Sequence, residues 1–294
     1  MFERLMIVGP GRLGLALGYA LWQADAVRHL VYCGRRPDPP SHPLFGQGVA
    51  EYHFGLLTPS PDTAGVILAV PAAVLPELAH ALAAQGPPPP EMVALHTAGS
   101  LSAEVLGPLH AVGYAVGTLH PLQSVGDSIH GADRLLEAAF AVTGEGAARQ
   151  LGRRLVFALE GDPLEIAVSR RPLAHAASVL VSNGLTALLS TAADLLASAG
   201  VGGAQARAAL LSLAHSSLSD LEAGAPPRGP VAEGDLEAVD LHLRSLRGDA
   251  RELYRGMSRV LLDDLGDQPA SADATDALRF LLRTPVPESP EDDT

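Results

Sequence analysis

Apolar residues follow two different rhythms along this chain. Up to about residue 165, short apolar runs of strand length alternate with stretches of helical spacing, as in βαβ units around a parallel sheet. Leu5 to Val8 is the first run and His29 to Cys33 the second. Ala64 to Val70 is apolar throughout, as a strand covered on both faces requires. Met92–Thr97 and Tyr114–Leu119 read as further strands, and Phe140–Thr143 as one on the outer part of the sheet. Ala72–Ala84 has helical spacing, Gly86–Pro90 is a loop, and Ser100 or Ser102 is placed to cap a helix with Glu104 in its first turn. Beyond residue 165 the strands stop. Ala/Leu-rich segments near 170–198, 204–222, 235–248, 249–265 and 272–283 have the spacing of helices, broken at Gly200–Gly203 and Gly224–Pro230. The pattern predicts an α/β fold: a doubly wound, mostly parallel sheet over 1–165, then an all-α domain over 166–284. The short acidic, Pro-rich end, 285–294, is expected to be disordered.

The first strand runs directly into Gly9, Pro10, Gly11, Arg12, Leu13 and Gly14, with a helical pattern behind them. This GxGxxG placement is that of a Rossmann dinucleotide site. Gly9 permits the turn, Gly11 lets backbone approach a pyrophosphate, and Gly14 lets the helix pack close to the sheet. The helix start then favours the diphosphate through its N–H groups and dipole. A bare Gly-rich turn is the plain alternative. At the end of the second strand, where an NAD site carries Asp or Glu for the ribose, this chain has Gly34, Arg35 and Arg36. Two guanidiniums suit a 2′-phosphate and point to NADP; otherwise they belong to a solvated loop.

Composition narrows the field. The 294 residues are 47% hydrophobic and 18% charged, with net charge −13, which argues against disorder and against a nucleic-acid partner. All 20 basic residues are arginine, so lysine Schiff-base and lysine acid/base chemistry are excluded. The single cysteine, Cys33, allows no disulfide framework within one chain. The 11 histidines show no metal-ligand spacing, so no metal is expected. Arg4 opens a strand and no cleavage site follows an apolar core, so no signal peptide is expected. The apolar run near 173–198 is interrupted by His175, Ser178, Ser182 and Asn183. It reads as a buried or interfacial helix rather than a membrane span, and the protein is expected to be cytoplasmic.

In an open parallel sheet, ligands bind beyond the carboxyl ends of the strands. Those ends carry Gly9, Gly34, Val70-Pro71, Thr97-Ala98-Gly99-Ser100 and His120-Pro121. Val70, Pro71 and Thr97 to Gly99 are expected to line the nicotinamide ribose. His120, held extended by the following proline, is placed to relay a proton or bond a substrate oxygen, with Ser100 beside it; the plain alternative is a histidine that only hydrogen-bonds loop backbone. His175, Ser178, Ser182 and Thr186 share one face of a helix, with Asn183 next to them. Such a polar line faces a cleft, a ligand or a subunit, unless its serines merely bond back to helix carbonyls. His120, His175, Ser100 and Asn183 are the candidate catalytic residues.

On Gly9-x-Gly11-x-x-Gly14, Leu68–Pro71, His96–Ser100, Gly117–Ser124 and His175–Ser178, the chain resembles Rossmann-like proteins carrying the C-terminal domain of unknown function 2520. These are relatives of deazaflavin-dependent NADP reductases, pyrroline-5-carboxylate reductases and 6-phosphogluconate dehydrogenases. The resemblance implies an N-terminal NADP domain, a helical C-terminal domain of the 6-phosphogluconate-dehydrogenase-like type, and homodimers that build the cleft between subunits. Ser100 with His120-Pro121 is also similar to the substrate-contacting pair of prephenate dehydrogenases. Two departures matter. Glu233 stands in Gly229–Asp235 where the group has arginine, and His175 lies in the region where hydroxyacid dehydrogenases use lysine.

These readings converge on an NADP-dependent oxidoreductase moving hydride to or from a small carbonyl, imine or hydroxy substrate. Two alternatives stay open: a non-catalytic NADP-binding sensor or scaffold, and a glycine loop serving a deazaflavin or an adenylate.

Overall fold

The structure, a computed structural model, describes residues 1–265 and 272–284. The tail expected over 285–294 lies outside the described residues. Contacts divide the chain into two units, Met1–Gly184 and Leu185–Thr294. The division falls later than residue 165 because the segment after the last strand is fastened to the sheet.

The first unit runs β1 (Phe2–Val8), α1 (Arg12–Gln23), β2 (Val27–Gly34), α2 (Pro43–Gly46), β3 (Ala50–Phe54), β4 (Thr63–Leu68), α3 (Leu75–Ala83), β5 (Val93–His96), α4 (Gly107–Ala111), β6 (Ala115–Pro121), α5 (His130–Asp133), β7 (Ala139–Gly144), α6 (Gly146–Ala158), β8 (Asp162–Leu164) and α7 (Arg171–Val179). One sheet holds all eight strands in the order β3-β2-β1-β4-β5-β6-β7-β8. Pairing is parallel except between β6 and β7, so β7 and β8 run against the other six. The two edge strands were not visible as apolar runs. β3 is largely exposed and β8 is three residues long with Pro163 inside it, and an edge strand has little surface to bury.

Alternation along the central strands builds a core on each face. Leu5, Ile7, Leu30, Tyr32, Ile67 and Leu95 face α1 and α6. Met6, Val8, Val31, Cys33, Val66, Leu68 and Ala94 face α3 and α4. Period-two alternation in strands buried on both sides is what makes the runs apolar throughout. Tyr32 also crosses under α1, where its hydroxyl donates to the Gly14 carbonyl at 3.1 Å.

The helix expected after the fifth strand is a 3₁₀ turn, Ala103–Leu106, leading into α4. Ser102 occupies the N-cap, but its side chain does not cap. Its carbonyl instead faces His96 Nε2 at 3.0 Å, while His96 Nδ1 accepts from the Ala98 N–H at 3.2 Å. That acceptor role places the imidazole proton on Nε2. His96 is fully buried and braces the turn from Thr97 to Ser102 from beneath.

The second unit runs α8 (Leu185–Ser198), α9 (Gly203–Glu222), α10 (Pro230–Glu233), α11 (Leu236–Ser245), α12 (Gly248–Leu265) and α13 (Ala272–Arg283). Its described residues form no strand, as expected. Val231, Val239, Leu243, Leu262, Leu278 and Leu282 make its core, and Asp235 caps α11 through the Ala238 N–H at 3.0 Å. Two readings need correction. The segment near 170–198 is not one uniform α-helix, because Leu180–Gly184 forms a π turn. Short helix α10, not expected, follows directly on the break read at Gly224–Pro230, started by Pro230 at its first position.

Burial pushes the His96 imidazole down to about 4. The unfolded chain takes up that proton near 6.5. The unfolded state therefore binds more protons between those values, and stability falls as pH drops from 6.5 to about 4. The loss amounts to on the order of 3 kcal/mol if His96 stays buried. Urea melts from pH 7 to 4 should show this slope, and it should be shallower in His96→Asn.

Candidate functional site

The glycine loop is shaped by how closely β4 passes it. Gly9 sits at φ +104°, and a Cβ there would lie 2.5 Å from the Ala69 carbonyl oxygen. A Cβ on Gly14 would collide with the Gly9 carbonyl and reach Ala69 Cβ at 3.2 Å. Gly11 is different: nothing lies within 4 Å of its Cβ position, so the space above it is open to a ligand. Gly11 also begins α1 with no side-chain cap and no acidic residue in the first turn. The leading N–H groups and the positive helix end are left for an anion.

Around this loop, Pro10 and Leu13 are half-buried and Arg12 is exposed, its guanidinium 3.4 Å from the Gly126 carbonyl. Arg35 and Arg36 follow β2, both exposed. Among the described residues no carboxylate pairs with either one. Tyr52 of β3 donates to the Arg36 carbonyl at 2.5 Å, tying the arginine loop to the sheet edge.

Register lines up the other candidates. Val8 pairs with Cys33 and Leu68, Leu68 with His96, and His96 with Thr118. The loops leaving β1, β2, β4, β5 and β6 therefore emerge along one edge. Val70 and Pro71 follow β4, with Val70 half-buried and Pro71 exposed. Thr97 is buried, its N–H donated to the Leu68 carbonyl at 3.2 Å; Ala98 and Gly99 are half-buried.

His120 and His175 come together at this edge, with ring centroids 5.7 Å apart and planes at 72°. His120 Nδ1 lies 2.9 Å from the Thr97 carbonyl. A carbonyl only accepts, so Nδ1 carries the proton and Nε2 presents its lone pair. Burial lowers the pKa of His120; the Thr97 bond opposes this, while the neighbouring His175 and Arg171 charges add to it. The ring is neutral at neutral pH. His120 Nε2 and His175 Nδ1 each lie 2.5 Å from where a Gly99 Cβ would be, so only glycine leaves that space free. His175 Nδ1 is buried with no hydrogen-bond partner.

Arg171 was not foreseen. It is 3% exposed, yet its guanidinium meets no carboxylate. Nη1 donates to Thr118 Oγ1 at 2.9 Å and to Thr143 Oγ1 at 3.3 Å; Nη2 donates to the Ala98 and Gly99 carbonyls at 3.3 and 3.4 Å. Nε has no partner. Charge-assisted bonds of good geometry contribute about 1.5–3 kcal/mol each, and three of these four are long. Removing a charge from water costs several kcal/mol, and neutral oxygens alone work against that cost here. Mechanically, Arg171 pins α7 to β6, β7 and the loop after β5. A cavity of about 10 Å³, room for one water-sized group, lies among Gly99, His120, Leu122, Arg171, His175 and Ser178.

Ser100, Ser182 and Asn183 stand apart from this cavity. Ser100 is exposed on the bend after Gly99 and does not line it. Asn183 is exposed in the π turn, where its Oδ1 accepts from Ser182 Oγ at 3.2 Å. Ser178 and Ser182 donate to the Ala174 and Ser178 carbonyls at 3.1 and 2.8 Å. For these serines the plain alternative, bonding back to their own helix, is what the structure shows. Glu233 accepts from the Gly229 N–H at 3.1 Å, closing the start of α10; its charge serves a local cap. Among the described residues no group of three or more His, Cys, Asp or Glu gathers in a way that could hold a metal.

Comparison with known proteins bears on the fold. Residues 3–121 match the Rossmann-like domain family, and residues 138–261 match the domain of unknown function 2520. No curated protein sequence matches the chain. Among solved structures, a protein from Thermotoga maritima is 18% identical with a TM-score of 0.65, covering 94% of this chain and 99% of its own. A candidate NADP oxidoreductase from Bacteroides fragilis is 21% identical with a TM-score of 0.68, covering 88% and 98%. A pyrroline carboxylate reductase from Plasmodium falciparum, solved with NADP bound, is 14% identical with a TM-score of 0.52, covering 95% of each. At these identities the likeness is one of fold. The chain thus carries a Rossmann-like domain over 3–121 and a domain of unknown function 2520 over 138–261.

Proposed function

We propose that the protein is an NADP-dependent oxidoreductase acting on a small carbonyl, imine or hydroxy compound. The observation that carries this reading is the meeting of His120 and His175 across Gly99, on the same sheet edge as an open glycine loop. Two fold neighbours, the candidate NADP oxidoreductase and the reductase solved with NADP, support the choice of cofactor.

The chain's residues fit that cofactor. The open space at Gly11 and the uncapped start of α1 suit a diphosphate, and the unpaired guanidiniums of Arg35 and Arg36 suit a 2′-phosphate. Pro71 and Thr97 to Gly99 would line the nicotinamide ribose. When bound, NADP supplies the hydride chemistry. The protein supplies orientation, exclusion of water and a proton site. His120, its Nδ1–H held by Thr97, exchanges a proton with substrate through Nε2, and His175 closes the other side of the same space. Ser100 and Asn183 take part only if loop or helix movement brings them in.

A homodimer is part of this proposal. The stretch Val168–Ser198 is apolar and long enough to cross a membrane by length and composition alone. His175, Ser178 and Ser182 lie along it, and Leu173, Leu180 and Val181 are 66–73% exposed. Large exposed apolar residues beside a polar line suit a protein partner; a second copy of the chain is the occupant proposed.

Four outcomes are expected. Gly11→Val should keep the wild-type melting temperature within a few degrees yet abolish NADPH binding by fluorescence titration, whereas Gly14→Ala should lower the melting temperature as well. Arg35→Ser with Arg36→Ser should weaken NADPH about 10- to 100-fold, from charge-assisted bonds of about 1.5–3 kcal/mol, and leave NADH affinity unchanged. Once a substrate is found, His120→Ala and His175→Ala should lower turnover about 10²- to 10⁴-fold with NADPH binding intact. Because burial lowers the His120 pKa, reduction should quicken as pH falls towards that value, since only the protonated ring donates. Intact turnover in both variants would favour the sensor reading.

A further inference from the structure

Two residues that line the same cavity each hold a buried polar atom without a partner: Arg171 its Nε, always a donor, and His175 its Nδ1. The residues around that cavity include one permanent positive charge and no carboxylate. The nearest acidic neighbour in sequence, Glu165, is engaged with Arg153 at 2.9 Å. Thr118, Thr143 and the Ala98 and Gly99 carbonyls satisfy Nη1 and Nη2 with neutral oxygens. The buried cation therefore has hydrogen bonds but no counter-charge.

We propose that Arg171 is a specificity-determining residue and that the cavity admits one oxygen of a substrate carboxylate, held by Arg171 with the rings of His120 and His175 beside it. A cavity of about 10 Å³ takes one oxygen-sized group, so the rest of the molecule extends outward past Gly99. A carboxylate oxygen supplies the missing counter-charge and an acceptor for Nε–H. A neutral carbonyl or hydroxyl supplies only the acceptor. A guanidinium discriminates between the two because its charge is fixed at every working pH. This inference rests on reading the same cavity as the substrate site.

The test is an NMR titration of full-length protein carrying ¹³C-labelled histidine, with acetate and with its neutral counterpart acetamide. The histidine signals lost in His120→Gln and in His175→Gln identify the two rings. Acetate should move both signals saturably, and acetamide should bind at least ten-fold more weakly. Arg171→Gln should weaken acetate by ten-fold or more. If that variant does not fold, Gly99→Ala serves instead: it leaves the guanidinium in place, fills the space between the rings and should cause the same loss. Equal response to acetate and acetamide, no response to either, or acetate binding that survives in Arg171→Gln or, where that variant does not fold, in Gly99→Ala, would overturn the proposal. An NADPH titration of the same sample keeps the two readings separate. NADPH binding without an acetate response sinks only the carboxylate site, and an acetate response without NADPH binding sinks only the oxidoreductase.

Discussion

The first unit is organised around one close approach, that of the start of α1 to the ends of β1 and β4. Gly14 lies backbone to backbone against the Gly9 carbonyl and beside the Ala69 methyl, and one turn on Gly18 lies against the Tyr32 hydroxyl of β2. With a side chain at either position the helix would stand off the sheet, and its first N–H groups would no longer lie beside the strand ends. The strand register carries that edge across to β6, where His120 stands. Specificity of site follows from density of contact.

What could be read beforehand was whatever leaves a trace in consecutive residues. The glycine loop, the apolar strands and His120-Pro121 each occupy a few neighbouring positions and have a mechanical reason visible in the letters. His175 was visible because a histidine on an Ala/Leu helix is out of keeping with its surroundings. Arg171 was not, since Ser169-Arg170-Arg171-Pro172 reads as a polar lead-in to a helix. Its burial depends on Thr118 and Thr143, far away in sequence and brought together only by the reversed pairing of β6 with β7. One signal was available: Arg171 lies four residues before His175, one turn away on the same helical face. His96 was hidden for a related reason, because inside an apolar strand it looks like one more core position. The π turn had a local cue in Ser182-Asn183-Gly184, a sequence poor in helix formers.

The site combines two kinds of support. His96, with its proton settled on one nitrogen, holds the Thr97–Ser102 turn from inside the sheet, while Arg171 holds the same turn from the helix side through the Ala98 and Gly99 carbonyls. Gly99 is gripped from both directions, and the two catalytic candidates face each other over it. Such double bracing suits chemistry that needs its groups fixed before substrate arrives.

Strand β8 is only three residues long, and its brevity sets where the polypeptide turns towards the histidines. Its last residue, Leu164, is level with Ala141, which is itself level with His120. The chain therefore leaves the sheet beside His120, and Ile166 and Arg171 arrive at the cavity within a few residues. Each further residue of extended strand would displace that exit by about 3.3 Å. Lengthening this edge by a single pair would carry the guanidinium past its threonines, so the stunted border strand acts as a ruler for the charge at the centre.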